Sequence, residues 1–197
     1  KTSIDPNTTL AIAAEEYKLK FGEESLLDEI QKEFSVKKIH ESHAALANIP
    51  WRRIYTTNYD NVLENAYSQI GKKLIPVTSD SEVSDFHKKS TLCVHLNGYV
   101  DQLKEKSSDS VLKLTEFSYV TSSIASSAWA GQFRDDIKIA KAVFFVGYSL
   151  ADLDVQRILF ESQILSDKCM FIIGENPTQT TIQRAGKFGQ IHKVNTS

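Results

Sequence analysis

Two short runs, Ala142-Val143-Phe144-Phe145-Val146 and Cys169-Met170-Phe171-Ile172-Ile173, are almost continuously apolar and rich in strand-forming residues. A strand with one face in water alternates polar and apolar side chains, whereas a strand covered on both faces need not. Such runs therefore call for a sheet sandwiched between helices. Two further β-favouring runs, Arg53-Ile54-Tyr55-Thr56-Thr57 and Leu92-Cys93-Val94-His95-Leu96, precede them. Helix-like stretches at 59–70, 124–140 and 151–165 fill the intervals. Strand alternating with helix predicts an α/β fold, a largely parallel sheet with helices on both faces.

Upstream of the first strand the apolar residues of 8–34 recur at helical spacing, with Leu26, Leu27, Ile30 and Phe34 on one face. That pattern predicts two amphipathic helices about Gly22. A third short helix is expected at 39–48, stopped before Pro50. Residues 104–110, polar and serine-rich, read as a surface loop, and 174–197 as a short helix followed by a last strand at 191–194.

With 197 residues, 41% of them apolar, the chain can bury a core without disulfides or a structural metal. Its two cysteines, Cys93 and Cys169, have no C-x-x-C partner, which excludes a zinc module built on cysteines alone. A net charge of −2 gives no general attraction to nucleic acid or to a membrane surface. No apolar stretch approaches the roughly 20 residues of a spanning helix, so a cytoplasmic protein is expected. The chain begins at Lys1 and its one methionine is Met170. A single domain over 1–197, truncated at its N-terminus and part of a longer chain, is therefore expected.

In open parallel sheets, ligands bind beyond the carboxyl ends of the strands, where loops diverge and helix N-termini offer unpaired N–H groups. Here those ends read Thr56-Thr57-Asn58-Tyr59-Asp60, His95-Leu96-Asn97-Gly98, Gly147-Tyr148-Ser149-Leu150-Ala151-Asp152 and Gly174-Glu175-Asn176. All four are small and polar, which points to a common ligand crevice. Each also has a local explanation, with Asn58, Asp60 and Asp152 as helix caps and the glycines as turn residues.

The same residues resemble the motifs of the sirtuin-like superfamily. Thr56-Thr57-Asn58-Tyr59-Asp60 is similar to its T-x-N-x-D element, and Gly147 to Asp152 to the G-x-S-x-x-D element of its bacterial branch. Val94-His95-Leu96-Asn97-Gly98-Tyr99-Val100-Asp101 falls where that family places a histidine-glycine element, and Leu114-Thr115-Glu116-Phe117-Ser118-Tyr119 resembles the segment that follows. Asn97 lies 39 positions after Asn58, in keeping with the bacterial proteins. The resemblance covers most of 39–176. It implies a Rossmann-like domain that takes NAD as substrate, uses no metal, and hydrolyses the nicotinamide–ribose bond to nicotinamide and ADP-ribose. With two cysteines the chain resembles the zinc-less branch, similar to NAD hydrolases that protect bacteria from phage by NAD depletion. Such domains imply a homo-oligomer, or a sensor domain or partner that detects infection.

By this resemblance Asn58 positions the water and the ribose hydroxyls. Asp60 holds the loop or contacts the ribose, and Thr56, Thr57 and Gly98 line the same end. Gly147, Ser149 and Asp152 fall to the adenosine ribose or phosphates, and Gly174 and Asn176 to the adenine end. The family's general base stands immediately before the glycine, where this chain has Asn97. Either His95, two residues earlier, serves as base, or Asn97 fills the position with an amide that does not titrate near neutrality. The eight glycines never form G-x-G, so the phosphate-binding turn and its βα unit are expected to be missing from this piece. Two other functions fit the residues. One is a module that binds NAD or an ADP-ribose derivative without cleaving it. The other is a serine hydrolase using Ser149, Asp167 and His192, which follow the chain order of α/β-hydrolases. Trp51, Arg52 and Arg53 are expected to brace the strand entrance, and His40 and His43 to be surface or packing residues of a helix.

Overall fold

The computed structural model describes residues 8–36, 38–86, 91–103, 112–114, 127–150, 152–161 and 167–194. They fall into two compact units, Lys1–Ser122 and Ser123–Ser197.

The first unit opens with α1 (Leu10–Phe21) and α2 (Glu23–Phe34), separated by Gly22 as the periodicity predicts. Glu23 and Glu24 occupy the first turn of α2 and Lys32 its last, each complementing the helix dipole. After α3 (Glu41–Asn48) the chain enters β1 (Arg53–Thr56), crosses through α4 (Val62–Gln69) to β2 (Leu74–Thr78), and returns as β3 (Thr91–His95). All three strands are parallel in the order β1-β3-β2. The register sets Thr56, His95 and Thr78 level with one another at the carboxyl edge.

Packing follows from which faces are apolar. Ala47, Ala66 and Tyr67 of α3 and α4 close over Leu74 and Cys93 of the sheet, with Trp51, Ile54, Leu63 and Ile70 at the margin. Trp51 also donates its indole N–H to the Leu46 carbonyl (2.9 Å), bracing the entrance to β1. Ala14, Leu26 and Ile30 of α1 and α2 pack on Tyr59, Val100, Leu103, Leu112 and Leu114. His40 is a surface residue and also caps α3, its Nδ1 accepting from the Ser42 N–H at 3.3 Å, while His43 Nδ1 accepts from the His40 N–H at 3.4 Å.

The second unit runs α5 (Ala128–Ile139), β4 (Val143–Val146), α6 (Leu153–Glu161), β5 (Cys169–Gly174), α7 (Gln179–Gly186) and β6 (Gln190–Val194). Its strands are parallel in the order β4-β5-β6. Phe145 and Phe171 stack across β4 and β5, with ring centroids 4.4 Å apart and planes at 8°.

Every run expected to be a strand is one, within a residue or so at each end, and helices connect parallel strands in both units. β2 was not anticipated, because Pro76 interrupts a short run with no clear alternation. Proline lacks an N–H, and β2 tolerates it as an edge strand. α4 starts at Val62, three residues later than the predicted helix, because residues 57–61 form a separate turn. The continuous apolarity of β4 also overstates its burial: Phe145 is buried, while Phe144 and Val146 are 42% and 51% exposed. The 104–110 loop, residues 115–119 of the family-like segment, the start of the 124–140 helix and residues 162–165 lie outside the described residues. Among the described residues no helix is long and apolar enough to cross a membrane.

Gly189, in the turn before β6, approaches β5 so closely that a Cβ there would lie 2.3 Å from the Cys169 carbonyl oxygen. Backbone atoms cannot move aside as a side chain can. Gly189→Ala should therefore lower stability by about 1–3 kcal/mol in urea unfolding. Gly186→Ala, whose new methyl would meet only Ile191 Cδ1 at 3.9 Å, should leave the midpoint unchanged or higher.

Candidate active site

Between Thr56 and Tyr59 four successive carbonyls each accept a hydrogen bond from the segment that ends β3. The Leu96 N–H reaches the Thr56 oxygen (2.8 Å) and the Asn97 side-chain amide the Thr57 oxygen (3.2 Å). His95 Nδ1 reaches the Asn58 oxygen (3.1 Å) and the Val100 N–H the Tyr59 oxygen (2.8 Å). The turn is pinned further by the Asn58 N–H on Thr56 Oγ1 (3.0 Å) and by the Tyr59 hydroxyl on the Lys113 carbonyl (2.5 Å). Phe34 meets the Tyr59 ring edge-on at 5.6 Å. Asn58 itself is exposed, so its amide is presented to solvent from a backbone with little freedom.

His95 lies beneath that turn at 1% exposure. Its Nε2 stands 3.0 Å from Glu64 Oε1 on α4, and the Tyr99 ring centroid lies 4.3 Å from its own. Nδ1 faces a carbonyl and must carry a proton; the proton between Nε2 and Glu64 can sit on either partner. Imidazolium with carboxylate and imidazole with carboxylic acid give the same net charge. In both, neither ring nitrogen is open to a reacting water. The ring thus ties the Asn58 carbonyl to Glu64 on α4. Burial pushes the Tyr99 hydroxyl above its usual range, with Glu64 and the hydrogen bond to Asp101 adding to the shift.

Asn97 is 6% exposed, and its carbonyl accepts from the Lys113 N–H at 2.8 Å. Its Oδ1 is buried with no hydrogen-bond partner among the described residues. Unsatisfied buried acceptors are uncommon and each costs roughly 1–3 kcal/mol, a cost that a water or another polar group at this position would relieve. Gly98 follows in the turn after β3 and bridges Leu112.

Asp60 accepts from the Val62 N–H (3.1 Å) and so opens α4, while Asp152 accepts from the Asp154 and Val155 N–H groups (2.9 and 3.3 Å) and opens α6. Asp152 occupies the N-cap position that the sequence allowed, whereas Asp60 stands one residue before Asn61, the N-cap of α4, and its bond closes a local turn ahead of the helix. In the second unit Gly147 follows β4 at φ +62 with open space where a Cβ would point, so it serves the backbone's course rather than a packing contact. Ser149 is exposed, Gly174 ends β5, and Asn176 is exposed just beyond it.

The structure thus brings Thr56, Thr57, Asn58, His95, Asn97 and Gly98 together, with Asp60 at the end of the turn. It does not assemble Ser149, Asp167 and His192. Asp167 precedes the amino end of β5, Ser149 follows the carboxyl end of the parallel strand β4, and His192 is level with Ile172. The register therefore sets Asp167 and Ser149 beyond opposite ends of the paired strands.

Glu64 is the functional-looking residue that the sequence did not reveal. Helix carboxylates usually face water, and the only hint was that Cys93 and His95, two apart on β3, turn the same face towards whatever covers the sheet. Glu64, Cys93 and His95 bring ligand-type atoms within 4.8 Å of one another, the one such group among the described residues.

A family model for a SIR2-like domain matches residues 52–190. The NAD(+) hydrolase ThsA of Cytobacillus dafuensis is 26% identical over 164 residues, covering 82% of this chain and 32% of the relative. The chain therefore spans about a third of that protein's length.

Burial pushes the Cys93 thiol well above its usual value, with the Glu64 and Asp60 charges adding, and Cys169 is raised more modestly by burial. The folded chain thus keeps protons that the unfolded chain gives up near pH ~8.5. This contribution is fully present below that pH and is lost as pH rises towards the folded values. Urea midpoints measured from pH 8 to 9.5 should fall, less steeply in Cys93→Ala than in Cys169→Ala. Equal slopes would show that Cys93 is not the main source.

Proposed function

The chain belongs to the SIR2-like family, and from that membership we propose that it binds NAD and hydrolyses the nicotinamide–ribose bond, giving nicotinamide and ADP-ribose. The observation that carries this reading is the exposed Asn58 amide on a turn whose carbonyls are all tied down, together with the buried Oδ1 of Asn97, which has no hydrogen-bond partner among the described residues. Nicotinamide leaves the cationic ribosyl centre as a neutral molecule, so departure needs no general acid. Orientation of the water and the sugar is then the main task, and a rigidly presented amide suits it.

In this proposal Asn58 orients the water and the ribose hydroxyls, and Asn97 Oδ1 accepts a hydrogen bond from a ribose hydroxyl. His95 and Asp60 are positioning residues, and Thr56, Thr57 and Gly98 shape the backbone around the ring. Gly147, Ser149, Asp152, Gly174 and Asn176 are assigned to the adenosine portion on motif resemblance alone. With an amide where the family has a titrating base, turnover is slow, since a positioned base typically contributes 10²–10⁴-fold. The same amide favours a second reading, in which the domain binds NAD or an ADP-ribose derivative as a sensor. NAD depletion in anti-phage defence, by a longer or oligomeric cytoplasmic protein, is the setting proposed for the first reading.

The test is NAD incubation with the full-length protein, following nicotinamide and ADP-ribose by chromatography. Asn58→Ala should reduce release at least about 100-fold. Asn97→His should raise it at least about tenfold by restoring a titrating group. NAD bound by the wild type without any release would replace hydrolysis with sensing.

A further inference from the structure

We propose that Glu64, Cys93 and His95 form a binding site for a single divalent cation of the zinc type. Cys93 and His95 share one face of β3, α4 brings Glu64 over that face, and the three ligand-type atoms already lie within 4.8 Å of one another. Sulfur, imidazole nitrogen and carboxylate oxygen together favour zinc and its neighbours over magnesium or calcium, which prefer oxygen alone.

Two further observations point to a cation. His95 donates Nδ1–H to the Asn58 carbonyl, the outer hydrogen bond that metal-binding histidines commonly make, and this directs the Nε2 lone pair towards Glu64 and Cys93. Glu64 Oε2 is buried with no hydrogen-bond partner of good geometry among the described residues, the Cys93 thiol beside the carboxylate being a weak donor, so a cation would satisfy this acceptor better than the thiol does. The exchange that binding would entail also balances in charge. With Cys93 as thiol and one proton shared between Glu64 and His95, the cluster is neutral. Binding a divalent ion expels the thiol proton and the shared proton, leaving thiolate, carboxylate and neutral imidazole around two positive charges. The buried region is neutral before and after, so the exchange adds no net charge to the interior.

The site does not depend on NAD cleavage, and its test needs no enzyme assay. Chelator-treated protein is titrated with Co²⁺ alone, which reports sulfur ligation through a thiolate-to-cobalt absorption band in the near ultraviolet. One equivalent should generate the band, two protons should appear per ion in weakly buffered solution, and Zn²⁺ should abolish it. Cys169→Ala should keep the band, Cys93→Ala should lose it, and Glu64→Gln should weaken Co²⁺ binding at least about tenfold. Circular dichroism establishes which variants are folded. Absence of the band from folded wild type, or its persistence in Cys93→Ala, would overturn the site. If Cys93→Ala fails to fold, loss of the band in Cys169→Ala or unchanged affinity in Glu64→Gln would do so.

Discussion

Pairing of the carbonyls of residues 56–59 is the constraint from which the rest of the first unit follows. Backbone oxygens withdrawn from water must find donors, and the turn leaving β1 cannot supply its own. The donors come from the end of β3, its neighbour in the sheet. Side chains two apart in an extended chain point the same way, so His95 and Asn97 both reach towards the turn while Leu96 contributes its N–H from between them. Three adjacent residues thereby satisfy three adjacent carbonyls, and the Asn58 side chain is left as the part of the turn that faces outward.

That arrangement carries a load beneath it. A histidine at 1% exposure needs partners on both nitrogens, and it finds the Asn58 carbonyl above and the Glu64 carboxylate on α4. Breaking such a buried pair from one side strands the other partner, typically at a cost of about 3–5 kcal/mol. The position of α4 over the sheet and the pose of the turn are therefore mechanically linked. Cys93, with burial holding its thiol protonated, completes the polar pocket inside an otherwise apolar face.

Much of this was legible in the sequence, for identifiable reasons. Residues 53–57, 92–96, 142–146 and 169–173 announce strands because β-branched and aromatic side chains crowd into short runs, and the polar residues after them mark the carboxyl edges. The convergence of Asn58 with Asn97 could be anticipated from motif order and spacing. The engagement of His95 could not, because its partner lies 31 positions away on a helix whose carboxylates would ordinarily be read as solvated. β2 escaped because a proline in a five-residue strand erases the pattern that would reveal it. Asp152 shows the opposite case: the modest local explanation available from the start, capping a helix, is the one its hydrogen bonds display, while Asp60 makes a turn bond one residue ahead of the cap.

Pro76 has a bearing on how the protein keeps company with copies of itself. Strands at the margin of a sheet present rows of unpaired amides that another chain can adopt as a template, which is how ordered aggregates grow. Because β2 forms one margin of the first sheet among the described residues and Pro76 supplies no amide hydrogen at its centre, a strand pairing along that margin would lack one donor midway along its ladder. The residue that hid this strand from pattern recognition also guards it against recruitment into a fibre.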